Sequence, residues 1–238
     1  RSDFGDCVLV EQSVDSVLSA LFLNTGATHY VGAFSAPTNF RQTLYKFAPY
    51  KGNRGTKHEY IVEWEGYIKE YLINSYGFVT IPDMEADDVV SIGKELYPNA
   101  IIASPDKDLR QTAGAYFDYS KNTPIEYLTE EQAERNFYMS MLTGDTVDNI
   151  KGIVGMGTVK ATKLLEKCDT DLEMDAVVRE AYETAYGTHY GPIIWDEHYR
   201  TLSLLTTKHR NYYWIDAPYE SLIKDVPSYS TLIEDQSI

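Results

Sequence analysis

Cysteine is scarce: 2 in 238 residues, Cys7 and Cys168, far apart in the chain. A disulfide framework is therefore excluded, a reducing intracellular (cytoplasmic) setting is expected, and neither thiol supports a zinc site. Long apolar runs are missing too. The best candidate, Ser16 to Leu23, is mixed and far short of the roughly 20 apolar residues that cross a bilayer, so no membrane partner is expected. No signal peptide is visible, and because the chain opens at Arg1 rather than methionine, whether a segment precedes it is left open. Positive charge is the third shortage, with 21 Lys and Arg against 36 Asp and Glu and a net charge of −15. Taken alone, that balance argues against a nucleic-acid partner, whose phosphates are held by Lys and Arg. What remains is 43% hydrophobic and 24% charged, enough for the core of one large domain with at most a small appendage.

The charge is segregated rather than uniform. From Ser16 to His58 there is no Asp or Glu, only Arg41, Lys46, Lys51, Arg54 and Lys57; from Asn149 to Leu165 there are only Lys151, Lys160 and Lys163. Such stretches are either loops whose bases face water or the places where an anionic ligand is held. Apolar spacing predicts a helix over Leu9 to Asn24, stopped by Gly26, then a buried strand over His29 to Phe34. Asn39 to His58, broken by Pro49, Gly52 and Gly55, reads as an irregular loop. Helices are predicted over Glu59 to Tyr76 and Glu85 to Leu96, and strands over Phe78 to Ile81, Ala100 to Ser104 and Ala115 to Tyr119. This alternation implies an α/β fold with a mainly parallel central sheet flanked by helices. Beyond Glu130 helices dominate, interrupted by a glycine-rich turn at Gly152 to Gly157.

Three acidic clusters stand at suggestive places: Glu85-Ala-Asp87-Asp88 at a helix start, Asp106-Lys107-Asp108 just past a strand, and Gly144-Asp145-Thr-Val-Asp148-Asn149. Glu85 and Asp88 fall about 60° apart on one helix face. Acids also favour a first helical turn through the macrodipole, and turns are rich in Asp, so each cluster alone has a plain structural explanation. Residues past the carboxyl end of a strand in an open α/β sheet line the ligand crevice. If the clusters converge, their carboxylates repel and resist burial unless protonated or bridged by divalent cations. An all-oxygen donor set selects Mg²⁺ or Mn²⁺ over Zn²⁺, and beside a basic loop it describes phosphodiester chemistry.

Six strings together resemble the 5′-nucleases of the flap endonuclease and 5′-3′ exonuclease superfamily, particularly the bacteriophage members. They are Asn39-Phe-Arg41, Tyr50-Lys51-Gly-Asn-Arg54, Glu85-Ala-Asp87-Asp88, Ser104-Pro-Asp106-Lys-Asp108, Gly144-Asp145-Thr-Val-Asp148-Asn149 and Gly152-Ile-Val-Gly155-Met-Gly157, in family order from about Phe34 to Leu165. The resemblance implies a PIN-like α/β nuclease core over 1–140, including a basic arch loop at 39–58. It implies a helical region over 141–238 containing a helix-loop-helix DNA clamp at 144–166. It also implies that Glu85, Asp87, Asp88, Asp106, Asp108, Asp145 and Asp148 bind Mg²⁺, replaceable by Mn²⁺, directly or through water. Lys51 and Arg54 resemble the arch residues on the scissile phosphate. Arg41, Gly152, Gly155, Gly157, Lys160 and Lys163 complete the expected DNA contacts, with K⁺ at the clamp loop.

The implied partner is DNA with a 5′ end or flap, cut by a monomer in replication or recombination; a viral chain would work in the host cytoplasm. Two departures stand out. The family opens with an aspartate-bearing strand, whereas Asp3 and Asp6 here lie in RSDFGDC, and Ser35 occupies a second position where relatives often carry an acid. They motivate the alternative of a catalytically weak or inactive nucleic-acid-binding module. A phosphatase or ribonuclease of a related carboxylate fold is a third reading, against which the glycine turn argues. The five histidines match no motif.

Overall fold

The computed structural model describes residues 4–121, 123–206 and 229–230. Helix α1 covers Phe4–Thr25, starting earlier than its apolar spacing suggests, and Gly26 ends it at φ 65°, a left-handed conformation that glycine adopts without penalty. Among the described residues its one helical neighbour with substantial contact is α3, Glu59–Tyr76. The pairing is partly polar: Tyr67 donates to Glu11 at 2.5 Å, while Tyr71 and Tyr76 donate to Asp15 at 2.8 and 2.5 Å. Gly77 closes α3 in the left-handed region at φ 62°.

The strand expected over His29 to Phe34 is divided into β1, His29–Tyr30, and β2, Ala33–Phe34. Gly32 lies between them beneath the Phe78 ring, where a Cβ would sit 2.4 Å from ring carbons. Strand β2 runs parallel to β3, Val79–Thr80, with Ala33 opposite Val79. Strand β4, Ile101–Ala103, runs parallel to β5, Gly114–Phe117, and β6, Glu126–Leu128, pairs antiparallel with β5. The α/β architecture is therefore present, but as short separate ladders rather than one continuous sheet.

Between these ladders stand α2, Phe40–Leu44, and α4, Ala86–Leu96. Helix α4 buries Val89 and Ile92 against Ile81, Met84 and Leu205, each worth about 1.5–3 kcal/mol when fully removed from water. The second half of the chain holds α5, Glu130–Thr143, a hairpin of β7 and β8, Gly144–Asp145 and Ile150–Lys151, then α6, Thr158–Leu165, and α7, Asp171–Leu202. Helix α7 breaks at Gly187, φ 81°, and folds back so closely that a Cβ on Gly191 would lie 2.6 Å from the Glu183 Cα. Its two arms share one core with α5 and α6 through Met141, Leu165, Met174, Tyr182, Trp195 and Tyr199. Tyr45, from the end of α2, is buried in that same core, so the basic loop is seated on the helical half.

Candidate active site

The first acidic cluster is built around the start of α4. Glu85 has extended backbone and precedes the helix, and its amide donates to the Asp88 carboxylate at 3.1 Å. Asp88 is 0% exposed. Arg41 grips it with two bonds, Nη1 at 2.6 Å and Nη2 at 2.7 Å, and the Leu205 amide adds a fourth donor at 3.2 Å. The remaining hydrogens of Arg41 go to the Thr201 and Ser203 carbonyls at 2.8 and 2.9 Å and to Glu85 at 3.4 Å. Two expectations are corrected by this geometry. Arg41 is 3% exposed and turned inward, so it supports the acidic helix instead of facing DNA. Asp88 has its oxygens committed to four protein donors, so it anchors the helix and is not placed as a metal ligand.

The basic loop closes over the other acids. Lys51 adopts the left-handed backbone, φ 55°, and donates its amide to the Asp148 carbonyl at 2.8 Å. Its ammonium contacts Glu85 and lies 3.5 Å from Asp148, while Arg54 meets Asp148 at 2.7 Å. The Tyr50 hydroxyl lies 2.6 Å from Glu85 and 2.9 Å from Asp148, so its single proton serves one carboxylate at a time. Asn53 and Asn149 lace the loop to the hairpin by bonds to the Thr146 and Pro49 carbonyls, 2.6 and 2.8 Å. The third acid group surrounds Lys107, which donates to Asp145 at 2.6 Å and approaches Asp108 at 3.6 Å. Asp106 follows β4 and accepts the Asp108 amide at 2.9 Å.

Electrostatics couples the clusters. Burial first, then the charges of Asp106, Asp88 and Glu85, push Asp87 up to about 7. Burial, then Asp145, Asp106 and Asp148, push Asp108 to about 6 despite Lys107. In Glu85 burial is outweighed by Arg41, Lys51 and Tyr50, which hold its carboxyl below the usual range; Lys107 and two backbone amides do the same for Asp145. All seven expected acids thus enter one electrostatic field. Among the described residues, however, no three Asp, Glu, His or Cys side chains already stand as a metal cage. Arg41, Lys51, Arg54 and Lys107 occupy oxygens of Glu85, Asp88, Asp108, Asp145 and Asp148. The donors fit a hard divalent cation, because they are oxygens only and because Asp87 and Asp108 carry crowding that such a cation relieves.

The glycine turn divides. Gly152 is packed inside the protein, a Cβ there lying 2.2 Å from the Thr143 carbonyl carbon, so it serves the β7–β8 hairpin rather than an outside backbone, which corrects its expected role. Gly155 and Gly157 have open space where a Cβ would go, and Lys160 and Lys163 are exposed on α6. Lys160 reaches back to the Gly155 carbonyl at 2.8 Å. Ser35 accepts the Ala86 amide at 3.0 Å and brings no charge to the start of α4. Two members of the network were missed as charge-bearing partners. Lys107 stands between two acids, an alternation that is its only signal, and Tyr50 stands in the sequence only as the first letter of the Tyr50-Lys51-Gly-Asn-Arg54 string.

No family model matches the chain. It is 33% identical over 140 residues to DNA polymerase I of Borreliella burgdorferi, covering 52% of this chain and 15% of that protein. It is 30% identical over 166 residues to the 5′-3′ exonuclease of Aquifex aeolicus, covering 63% of this chain and 56% of the relative. The chain thus spans about half the length of that exonuclease and a small part of the polymerase. The fold is similar to the bacteriophage T5 5′-exonuclease with bound zinc, at a TM-score of 0.53 and 17% identity over 81% of this chain and 89% of the other. It is also similar to the T5 flap endonuclease in complex with DNA and metal ions, at 0.51 and 17% over the same shares. In sequence the chain is thus similar to proteins named 5′-3′ exonuclease and DNA polymerase I, and in fold to the T5 5′-exonuclease.

Proposed function

We propose that the chain is a Mg²⁺-dependent 5′-3′ exonuclease or flap endonuclease, with Mn²⁺ able to substitute, that hydrolyses phosphodiester bonds of DNA near a 5′ end as a monomer. The observation that carries this reading is the meeting of Glu85 and Asp148 with Lys51, Arg54 and Tyr50. The field that raises Asp87 and Asp108 includes Glu85 and Asp148, the acids paired with Lys51 and Arg54 of the basic loop.

Glu85, Asp87, Asp106, Asp108, Asp145 and Asp148 would hold the divalent ions, which when bound supply an activated water and stabilise the leaving oxygen. Lys51, Arg54 and Lys107 occupy carboxylate oxygens meanwhile, so ion loading and their release are linked. Released, Lys51 offers a compact charge and Arg54 a two-pronged donor to a phosphate. Gly155, Gly157, Lys160 and Lys163 are the proposed duplex grip, and the turn carbonyls the K⁺ site. The test is cleavage of a 5′-labelled flap with Mg²⁺, where Asp106→Asn removes cleavage and leaves DNA affinity within a few-fold. Unchanged turnover in EDTA would defeat the proposal.

A second reading, a catalytically weak binding module, is favoured by Ser35, which brings a hydroxyl and no charge, and by Asp88, which is committed to Arg41. In that case the flap is bound and left intact.

A further inference from the structure

His198 is 0% exposed and reaches two carbonyl oxygens, that of Ile194 at 2.8 Å from Nδ1 and that of Lys151 at 2.6 Å from Nε2. Both partners only accept, and a neutral imidazole has one N–H to give. A neutral ring therefore donates in only one of the two contacts, and the shorter of them is to the Lys151 carbonyl. The other half of the same peptide is held as well, the Lys151 amide donating to the Tyr45 hydroxyl at 3.0 Å. Tyr45 and His198 touch edge-on at 5.4 Å, with Phe47 and Tyr182 against the same imidazole at 5.2 and 5.6 Å. The neighbouring Glu197 accepts the amides of Lys46 and Phe47, both at 2.6 Å. This end of α7 therefore holds the basic loop with one residue and the β8 strand with the next.

Resting on the nuclease reading above, we propose that His198 is a positioning residue. By presenting Nε2–H to the Lys151 carbonyl, it fixes the hairpin of Asp145 and Asp148, and the turn from Gly152 to Gly157, relative to Lys51 and Arg54. The charged and titratable groups around it are Glu197 on its own helix arm, Tyr182 and Tyr186 on the other arm, Tyr45 from the end of α2, and Lys151 on β8. Burial keeps the ring pKa below its ordinary value, against the pull of the two carbonyls and Glu197. The neutral form thus grips Lys151, and acid adds a second donor toward Ile194.

The test uses the full chain. Nitrogen-15 spectra of the His198 ring should show the Nε2–H form at neutral pH, and His198→Phe should shift the Lys151 and Gly152 amides. In the flap assay His198→Phe should lower kcat about ten-fold with KM within about three-fold, and His198→Gln, which can still donate, should recover most of that loss. An Nδ1–H ring, or an unchanged kcat in folded His198→Phe, overturns the proposal. If His198→Phe does not fold, the ring spectrum and His198→Gln decide, since a Gln variant with the Phe variant's amide pattern also overturns it. If the unaltered chain cleaves nothing, the nuclease reading fails by itself, and positioning is judged on the amide shifts and on duplex affinity.

Discussion

Arg41→Met tests the central support of the acidic helix. The substitution keeps much of the stem's volume but removes the guanidinium that meets Asp88 at 2.6 and 2.7 Å, leaving that carboxylate fully buried with only the Glu85 and Leu205 amides. Breaking a buried ion pair by deleting one partner costs about 3–5 kcal/mol, because the surviving charge is uncompensated. The Thr201 and Ser203 carbonyls lose a donor in the same step. In a chain of this size each kcal/mol moves the melting temperature by roughly 2–4 °C, so a fall of roughly 6–20 °C is expected. Urea and thermal unfolding at neutral pH measure it. Asp88→Asn added to Arg41→Met should return part of the loss, since the double variant buries no charge. DNA affinity, measured well below the transition, should stay within a few-fold. A cost under about 1 kcal/mol, or a large affinity loss without a stability loss, would show that Arg41 belongs to the DNA face after all.

Lys51→Ala should lower the chemical step by about 2–4 kcal/mol if its ammonium moves from Glu85 to the scissile phosphate; single-turnover kinetics with saturating flap would show instead a loss confined to affinity if it only binds. Gly152→Ala should destabilise by about 1–3 kcal/mol or more, because its Cβ meets the Thr143 backbone, whereas Gly157→Ala, with open space around it, should leave stability within about 0.5 kcal/mol; equal melting temperatures would refute the contrast. Asp87, raised to about 7, and Asp108, raised to about 6, ionise more readily in the unfolded chain, so the metal-free protein should lose stability as pH climbs from the ordinary carboxylate range through those values. Asp87→Asn should therefore stabilise the metal-free protein near neutrality and do little near about pH 4, and a stability difference independent of pH would contradict it. Duplex or flap binding should weaken with salt at a log-log slope near −3 to −4, for roughly three to five phosphate contacts, despite the net charge of −15; a flat response removes the clamp.

Local signals were legible and long-range ones were not. The helix over Glu59–Tyr76 was readable to its ends, because apolar spacing and a terminal glycine are written within the segment itself. Helix α4 was readable to within one residue, since Glu85 proved to be its cap. The three acidic clusters were visible as strings, and so were Lys51 and Arg54. What stayed hidden was which charges neutralise each other inside the protein. Arg41 meets partners 47 and 160 positions away, and nothing in Asn39-Phe-Arg41 distinguishes an inward guanidinium from an outward one. Gly152 likewise reads as a loop glycine until the Thr143 backbone is found against it. His198 carries no motif, and its meaning depends on two carbonyls that no string of letters displays.

The ring around Arg41 and Asp88 is completed by Thr201, Ser203 and Leu205, positions in the last turn of α7 or just past it. On the ribosome the chain emerges from its other end, so α4 and the basic loop leave the exit tunnel long before their last supports exist. Until residue 205 is out, Asp88 has a slot that lacks a wall, and a charged carboxylate does not settle in such a slot. The Arg41–Asp88 pair therefore gains its full set of partners only with the return of the chain. A nascent chain then passes through the nucleic-acid-rich surroundings of its own translation before its centre has taken shape.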